Sequence, residues 1–454
     1  VSANDTIAAI ATSAGRGAVG IVRLSGADVP RIARAMLGGV PVARRARHTS
    51  FLDAHGETID EGLALYFPAP ASFTGEHVLE LQGHGGVLVM DLLLRRALEL
   101  GCRMARPGEF SERAYLNGKM DVAQAEAVAD LIDAGSRAAA RAAVRSMQGE
   151  FSAHIEELGA LLTDLRTHVE AAIDFPDEEI DFLAAPAIAT RLERVSARFD
   201  AVEAAAAQGA LLREGITVVI AGKPNAGKSS LLNRLAGDDV AIVTPAPGTT
   251  RDVLRQHVSL DGLPVNLIDT AGLRCAQDEA EEEGIRRAHA EMQRADRILY
   301  VVDASAPDAV AESEANADSA SAAGLPSGVP LTLVMNKIDL TGQPARASAG
   351  TPPRIFLSAR TGSGIDHLRA HLKSSAGYRE ADAGALAARG RHLDALERAR
   401  RLTQSAASGL ARRQPFELIA EDLRLAQRAL GEITGEVTSE ELLGAIFGSF
   451  CIGK

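Results

Sequence analysis

The sequence predicts a multi-domain chain, part α/β and part all-α, in which a doubly wound α/β domain interrupts a helical domain and a mixed α/β unit precedes both. Three observations predict it. The chain has 454 residues, more than one core ordinarily holds, so roughly two to four domains are expected. Ala, Leu, Glu and Arg dominate two distant stretches, residues 122–212 and from about residue 378 to the end, with apolar residues at helical spacing. Between them, short apolar runs alternate with helix-compatible stretches, the βαβ rhythm of a parallel sheet.

Hydrophobic residues make up 46% of the chain and charged residues 24%, so ordinary cores can form. No run approaches the roughly 18 uninterrupted apolar residues of a spanning helix, and no basic stretch followed by an apolar one opens the chain. The reading is a soluble, unsecreted, cytoplasmic protein with no membrane partner. A first residue of Val rather than Met reads as a trimmed or engineered N-terminus. Cys102, Cys275 and Cys451 are too few and too scattered for a disulfide framework or a zinc site, which fits a reducing compartment. With a net charge of -12, a nucleic acid would have to be held by a local basic surface.

Along the chain, residues 6–11 and 19–24 flank a Gly-rich turn at Gly15-Arg16-Gly17 and read as two short strands. Residues 62–67 and 77–81 also read as strands and 86–98 as a helix, so residues 1–118 form the mixed unit. Residues 119–213 are long packed helices, with turn signals only around Asp174-Phe175-Pro176-Asp177. The pattern breaks at Glu214-Gly215. Residues 214–378 form the inserted domain, with strands at 216–221, 265–268, 297–302 and 331–335. A low-complexity stretch from Ala304 to about Gly328 reads as a loop or an acidic surface helix. Residues 379–454 resume the helical domain. Nine arginines against five acids lie between Arg389 and Arg428; a solvated helix surface laced with i,i+4 ion pairs accounts for most of them.

Directly after strand 216–221 stands Gly222-Lys223-Pro224-Asn225-Ala226-Gly227-Lys228-Ser229, a phosphate-binding loop in the strand-then-helix setting its chemistry needs. Its glycines let backbone N–H groups curl around phosphate oxygens, which makes Asn225, Ala226, Gly227, Lys228, Ser229 and Ser230 nucleotide-binding candidates. Lys228 neutralises charge between the β- and γ-phosphates and the Ser229 hydroxyl ligates Mg²⁺. A plain Gly-rich turn with an exposed lysine competes poorly, because a chance match has odds on the order of one in a hundred.

Asn336-Lys337-Ile338-Asp339 follows strand 331–335, and Ser358-Ala359 follows Arg354-Ile355-Phe356-Leu357. In this order, on strand ends, they resemble the guanine-specificity elements of Ras-like GTPases. A carboxylate at Asp339 accepts from both N1–H and the exocyclic amine of guanine, an arrangement adenine does not offer. Asn336 and Lys337 brace and cover the base, and the Ala359 N–H meets the guanine carbonyl. Gly248-Thr249-Thr250-Arg251-Asp252 fits a first switch loop, with Thr250 reaching Mg²⁺ or the γ-phosphate. Asp269-Thr270-Ala271-Gly272 fits the second. The next residue is Leu273, where Ras-like enzymes carry a water-orienting glutamine, so hydrolysis needs another device.

Further segments carry a more specific resemblance: Ala18-Val19-Gly20-Ile21-Val22-Arg23, Ser72-Phe73-Thr74-Gly75-Glu76, Leu81-Gln82-Gly83-His84-Gly85-Gly86, Arg106-Pro107-Gly108-Glu109-Phe110 through Ala125-Glu126-Ala127, and Phe450-Cys451-Ile452-Gly453-Lys454. With the nucleotide motifs they resemble, over essentially the whole chain, the bacterial MnmE (TrmE) family of GTPases that modify wobble uridine in tRNA. The resemblance implies that the N-terminal domain binds a tetrahydrofolate derivative, 5-formyl- or methylene-tetrahydrofolate, and forms a constitutive homodimer. It implies a flavin- and NADH-using partner, MnmG, in a heterotetramer that adds an aminomethyl or carboxymethylaminomethyl group at the five-position of the uracil.

It also implies a GTPase stimulated by K⁺ and activated by pairing of two GTPase domains. The ion is held by Asn225 and by the loop carrying Thr244, Ala246 and Thr249, which with Thr250, Asp269 and Gly272 complete the nucleotide contacts. Alignment from Asp269 to Gly284-Ile285 places Glu281 on the family's catalytic glutamate, whereas Glu279, Glu282 and Glu283 read as a solvated acidic run.

Glu80 can pair with the donor edge of a pterin, and Arg23 and Lys119 can counter the folate's carboxylates or orient its ring, with surface charges or structural ion pairs as the alternative. Lys454 joins them because the family's tail approaches the folate site. Cys451 is either a reactive thiol near the transferred carbon or a small packing residue. Its Cys-Ile-Gly-Lys setting is no prenylation box, since Lys454 is an unusual last residue and no polybasic run precedes it. His77 and His84, without clustered ligands, read as packed or surface histidines, and no transition metal is assigned. Against the modification enzyme stand a GTP-switched RNA-binding or ribosome-assembly module without covalent chemistry and a P-loop ATPase scaffold.

Overall fold

The computed structural model describes residues 5–174, 185–237, 255–269, 290–307, 325–326, 328–379, 384–437 and 439–453. It divides into two compact units, Val1–Ala129 with Met147–Ala184 and Arg398–Lys454, and Asp130–Ser146 with Ala185–Glu397. Among the described residues no helix is long and apolar enough to cross a membrane.

In the first unit, β1 (Ile7–Ile10), β2 (Val19–Ser25), β3 (Arg47–Leu52), β4 (Thr58–Phe67), β5 (Val78–His84) and β6 (Arg103–Met104) form a mixed sheet in the order β3-β4-β5-β2-β1-β6. The Gly-rich turn joins β1 and β2 as an antiparallel pair, and β5 pairs with β2 so that Arg23 stands opposite Glu80. Side chains alternate across a strand. Val22, Leu24, Leu79 and Leu81 are therefore buried against α1 (Val29–Leu37) and α2 (Val87–Glu99), while Arg23 and Glu80 point to the other face. Pro30 sits in the first turn of α1, where its missing N–H breaks no helical bond.

α3 (Glu109–Leu116) follows β6. α6 (Glu150–Asp174) packs on α12 (Phe416–Thr434). Their buried rows, Leu158, Leu162, Leu165 and Val169 on one and Ile419, Leu423, Ala426 and Leu430 on the other, recur every three or four residues. α13 (Glu440–Gly448) is capped by the Ser439 hydroxyl, which accepts from the Leu442 N–H at 3.2 Å. Its Ile446 and Phe447 pack with Val122, Ala125 and Phe450. Among the described helices α4 (Val122–Ile132), α5 (Arg137–Met147) and α11 (Gly390–Ala411) have residues in both units.

The second unit holds a seven-stranded sheet in the order β12-β13-β11-β10-β7-β9-β8. Its strands are β7 (Ile216–Ala221), β8 (Arg255–Leu260), β9 (Leu263–Asp269), β10 (Arg297–Asp303), β11 (Leu331–Asn336), β12 (Arg346–Ser348) and β13 (Arg354–Phe356). The inner five are parallel and the two edges, β8 and β12, antiparallel. Val218 and Ile220 enter one core with Leu231, Val265 and Leu368, whereas Val219 and Ala221 enter a second with Ile268 and Ile298. A strand covered on both faces reads as a continuous apolar run, which is why β7 was legible. Among the described residues the unit's helices include α5 up to Ser146, α7 (Ala185–Glu214), α8 (Lys228–Gly237), α9 (Ile338–Thr341) and α10 (Ile365–Ser375).

Candidate functional site

Parallel strands deliver their C-terminal ends, and the loops that follow, to one edge of the sheet, the usual ligand edge of such folds. The loop after β7 turns through Asn225 at φ +63° and Gly227 at φ +95° and enters α8 at Lys228. A Cβ on Gly227 would lie 2.3 Å from the Asn336 side-chain nitrogen, so glycine is required there by close approach as well as by backbone angle. Lys228 is a buried residue, and its ammonium donates to the Gly222 and Lys223 carbonyls at 3.0 and 2.9 Å. Ser229 and Ser230 are exposed beside it. The Ser229 hydroxyl donates to Asp269 Oδ2 at 3.3 Å, which places a hydroxyl and a buried carboxylate together at the end of β9.

Asn336, at the end of β11 and 2% exposed, ties the loop after β13 to the loop after β7. Its Nδ2 donates to the Ala226 carbonyl at 2.8 Å and its Oδ1 accepts from the Ala359 N–H at 2.9 Å. Lys337 adopts φ +66° and donates to Asp303 Oδ2 at the end of β10. Burial pushes the Asp303 carboxyl up, but hydrogen bonds from Lys337 and Ser305 outweigh it and hold the group below the usual carboxylate range. Asp339 accepts from the Ser358 hydroxyl at 2.7 Å on Oδ1 and from Arg360 Nη2 at 2.5 Å on Oδ2. The Ser358 hydrogen bond, aided by the charge of Arg360, depresses its carboxyl pKa. Thr244, Ala246, Thr249, Thr250, Gly272 and Glu281 lie outside the described residues.

A second group of sequence candidates meets in the first unit. Arg23 Nε donates to Glu80 Oε1 at 2.9 Å and its Nη1 to the Gly453 carbonyl at 3.1 Å, with the guanidinium 5.8 Å from the Phe110 ring centroid. The tail is held closely: a Cβ on Gly453 would lie 2.6 Å from the Ile10 carbonyl oxygen, and the Cys451 carbonyl accepts from the Gly108 N–H at 3.4 Å. The Cys451 side chain is exposed. Lys119 meets a different partner, donating to the Pro70 carbonyl at 3.1 Å, and Lys454 lies outside the described residues. The described residues contain no cluster of His, Cys, Asp and Glu able to hold a metal ion. His77 stacks on Tyr66, and His84 donates its backbone N–H to Asp60 and pairs with it through Nδ1.

A family model described as the MnmE helical domain matches residues 122–451, and one described as the N-terminus of the GTP-binding protein TrmE matches residues 6–119. The chain belongs to the MnmE family of tRNA modification GTPases. It is 56% identical over 451 residues to the tRNA modification GTPase MnmE of Methylococcus capsulatus, covering 99% of each chain. To the tRNA modification GTPase MnmE of Proteus mirabilis it is 55% identical over 452 residues, again covering 99% of each. A solved structure, the G domain of the T. maritima FeoB iron transporter, is 25% identical and covers 36% of this chain and 98% of that one, with a TM-score of 0.26.

In this MnmE-family chain the structure adds residues that the motifs did not name. Asp303 holds Lys337, Arg360 holds Asp339, and Arg234 of α8 donates to the Ala359 and Arg360 carbonyls at 3.2 and 2.7 Å. Only Arg360 had a sequence signal, its place directly after Ser358-Ala359. In the first unit, Glu109 is 1% exposed and accepts from Arg103 and Arg113, while Arg113 also donates to Glu76 and Asp5. Burial opposes ionisation of Glu109, yet Arg103 and the Arg106 N–H keep its carboxyl below the usual range. Two of the segments that carried the family resemblance, at Glu76 and Glu109, thus meet in one ion-pair network joining α3 to the sheet.

Proposed function

We propose that this chain hydrolyses GTP in its inserted domain and uses the cycle to modify wobble uridine in tRNA. Aminomethyl or carboxymethylaminomethyl is added at the five-position of the uracil, with a folate-borne one-carbon unit. The observation that supports the nucleotide half is Asn336, which bridges the loop at Ala226 to the loop at Ala359, beside which Asp339, held by Ser358, would meet the base. Lys228 and the backbone of 225–230 would hold the phosphates. Ser229 and Asp269 supply the hard oxygen donors that Mg²⁺ takes, with Thr250 as the third group. Bound Mg²⁺ neutralises charge between the phosphates. For K⁺, the amide oxygen of the exposed Asn225 is a suitable donor, and Thr244, Ala246 and Thr249 would complete the site. That ion supplies positive charge beside the leaving oxygen.

The folate half is supported by the meeting of Arg23, Glu80 and the C-terminal tail. Glu80 would accept from the pterin's donor edge and Arg23 would orient the ring, with Lys119 and Lys454 countering the tail carboxylates; Cys451 stands exposed in that tail. The domain map that goes with this reading is 1–118 for folate binding and homodimerisation, 119–213 with 379–454 for the helical domain, and 214–378 for the GTPase. The partners are a second copy, flavin-dependent MnmG in a heterotetramer, and tRNA, in the cytoplasm.

Calorimetric titration of the intact protein with 5-formyl-tetrahydrofolate tests it. Saturable binding is expected, weakened roughly tenfold or more in Arg23→Ala or Glu80→Ala, the loss of one charge-assisted contact, with GTP hydrolysis nearly intact. No binding by the intact protein would put the GTP-switched RNA-binding module ahead.

A further inference from the structure

The carboxylate that selects the base already has a donor on each oxygen: Ser358 on Oδ1 and Arg360 on Oδ2. Ser358 belongs to the frame. Its hydroxyl also accepts from the Thr361 N–H at 3.2 Å, its carbonyl accepts from the Gly362 N–H at 2.9 Å, and it is fully buried. Arg360 does not belong to it, since its side chain is 75% exposed while that of Asp339 is 14% exposed. The backbone beneath it is fixed by Arg234, which reaches from the helix of the phosphate loop to the carbonyls of Ala359 and Arg360. Rotation of the Arg360 side chain alone therefore uncovers Oδ2 without moving the loop. The chemistry of the two donors is alike. A guanidinium presents planar N–H groups to a carboxylate, and the N1–H and exocyclic amine of guanine form the same guanidine unit.

We propose that Arg360 is a displaceable stand-in for the guanine base, pairing Asp339 while the site is open and giving way when a guanine nucleoside diphosphate or triphosphate enters. The inference rests on the reading of Asp339 as the guanine acceptor. The contact has two consequences. It keeps the carboxylate aimed at the base position, so the site is pre-formed, and it competes with the base, so guanine nucleotides bind less tightly and leave sooner than Asp339 alone would allow. An exposed ion pair of this kind is worth a few-fold in an equilibrium constant and is screened by salt.

The test is stopped-flow dissociation and equilibrium titration of a fluorescent N-methylanthraniloyl GDP with the full-length protein. Arg360→Ala is expected to bind about two- to fivefold more tightly than wild type, with the gain chiefly in slower release, and Arg360→Lys to fall between them. The ratio of variant to wild-type affinity should shrink toward one as ionic strength rises, a trend that a merely structural arginine does not produce. Weaker GDP binding by Arg360→Ala would show that the arginine supports the bound base, and an unchanged affinity that it does not compete; either overturns the stand-in. Asp339→Asn is measured alongside. If that variant keeps full preference for GDP over xanthosine diphosphate, the guanine reading itself fails. If it loses the preference while Arg360→Ala behaves as wild type, only the stand-in fails.

Discussion

A carboxylate that accepts two donors at once discriminates between bases more sharply than an apolar wall, because the wrong base leaves buried polar groups unpaired. Under the proposed function Asp339 would do this, held by Ser358 beside the Asn336 bridge. Asp339→Asn exchanges an acceptor for a donor on one side of the group. The variant is expected to lose roughly a hundredfold in GTP affinity and to turn toward xanthosine triphosphate, whose carbonyl replaces the exocyclic amine. Competition binding with the two nucleotides checks it, and unchanged GTP preference contradicts the assignment. The places of Asn336, Asp339, Lys228 and Ser229 were legible in the sequence because each sits at a fixed offset from a strand end, so the chain itself carries them to one edge of the sheet. Asp303 and Arg234 were not legible. Their roles come from side chains that meet across the sheet edge, between residues 34 apart in the first case and 125 in the second, and no local pattern marks such a pair. Lys119 was legible as a charge, but its contact with the Pro70 carbonyl was not, because the partner lies 49 residues away in the chain.

The same contrast holds for whole elements. β7, β9, β10 and β11 announce themselves as apolar runs because both faces of the sheet are covered. The edge strands do not: β3 buries only Phe51, and β8, Arg255-Gln256-His257-Val258-Ser259-Leu260, has only two apolar residues. Both are strands because a neighbour's hydrogen bonds make them so. One contact between elements carries a pH signature. On β10, Arg297 Nη1 donates to Thr332 Oγ1 of β11 at 2.9 Å, and the same hydroxyl shares a hydrogen bond with His371 Nε2 of α10, also at 2.9 Å. A neutral imidazole can accept the hydroxyl's hydrogen there, and a charged one cannot. Burial, and then the charge of Arg297, push His371 below its ordinary value of 6.5. Below that pH the unfolded chain takes up the proton and the folded one resists, so stability is complete above it and falls as pH drops toward the lowered folded value. Wild type should therefore lose more melting temperature between pH 7.5 and pH 5.5 than His371→Gln does, as followed by circular dichroism. Parallel losses in the two proteins would show that His371 does not titrate in this way.

At the scale of the whole molecule the question is how GTP is cleaved by a domain that has Leu273 where a Ras-like enzyme orients water with glutamine. A monomeric site would have to supply both the missing charge and the missing base from within one domain. Under the proposed function the charge comes from K⁺ held between Asn225 and the loop of Thr244, Ala246 and Thr249, doing the electrostatic work of an arginine finger. Ordering that loop around the ion creates a surface for the same loop of a second copy, and a pairing that uses one patch twice closes as a two-fold dimer. The orientation of water then falls to Glu281, the one of four neighbouring glutamates that the family resemblance selects. The run offers its own control, because Glu282 carries the same charge one residue away. Glu281→Ala is expected to bind GTP as wild type does but to hydrolyse it roughly a hundredfold or more slowly, the scale of a lost general base, whereas Glu282→Ala stays within about twofold of wild type, as an exposed charge would. Wild-type turnover should be much faster in K⁺ than in Na⁺ at equal ionic strength. Domain pairing in the presence of GDP and aluminium fluoride, read by light scattering or by distance measurements between spin labels, should appear in K⁺ alone. Turnover indifferent to the cation, or full activity in Glu281→Ala, overturns this mechanism while leaving the guanine site at Asn336 and Asp339 untouched.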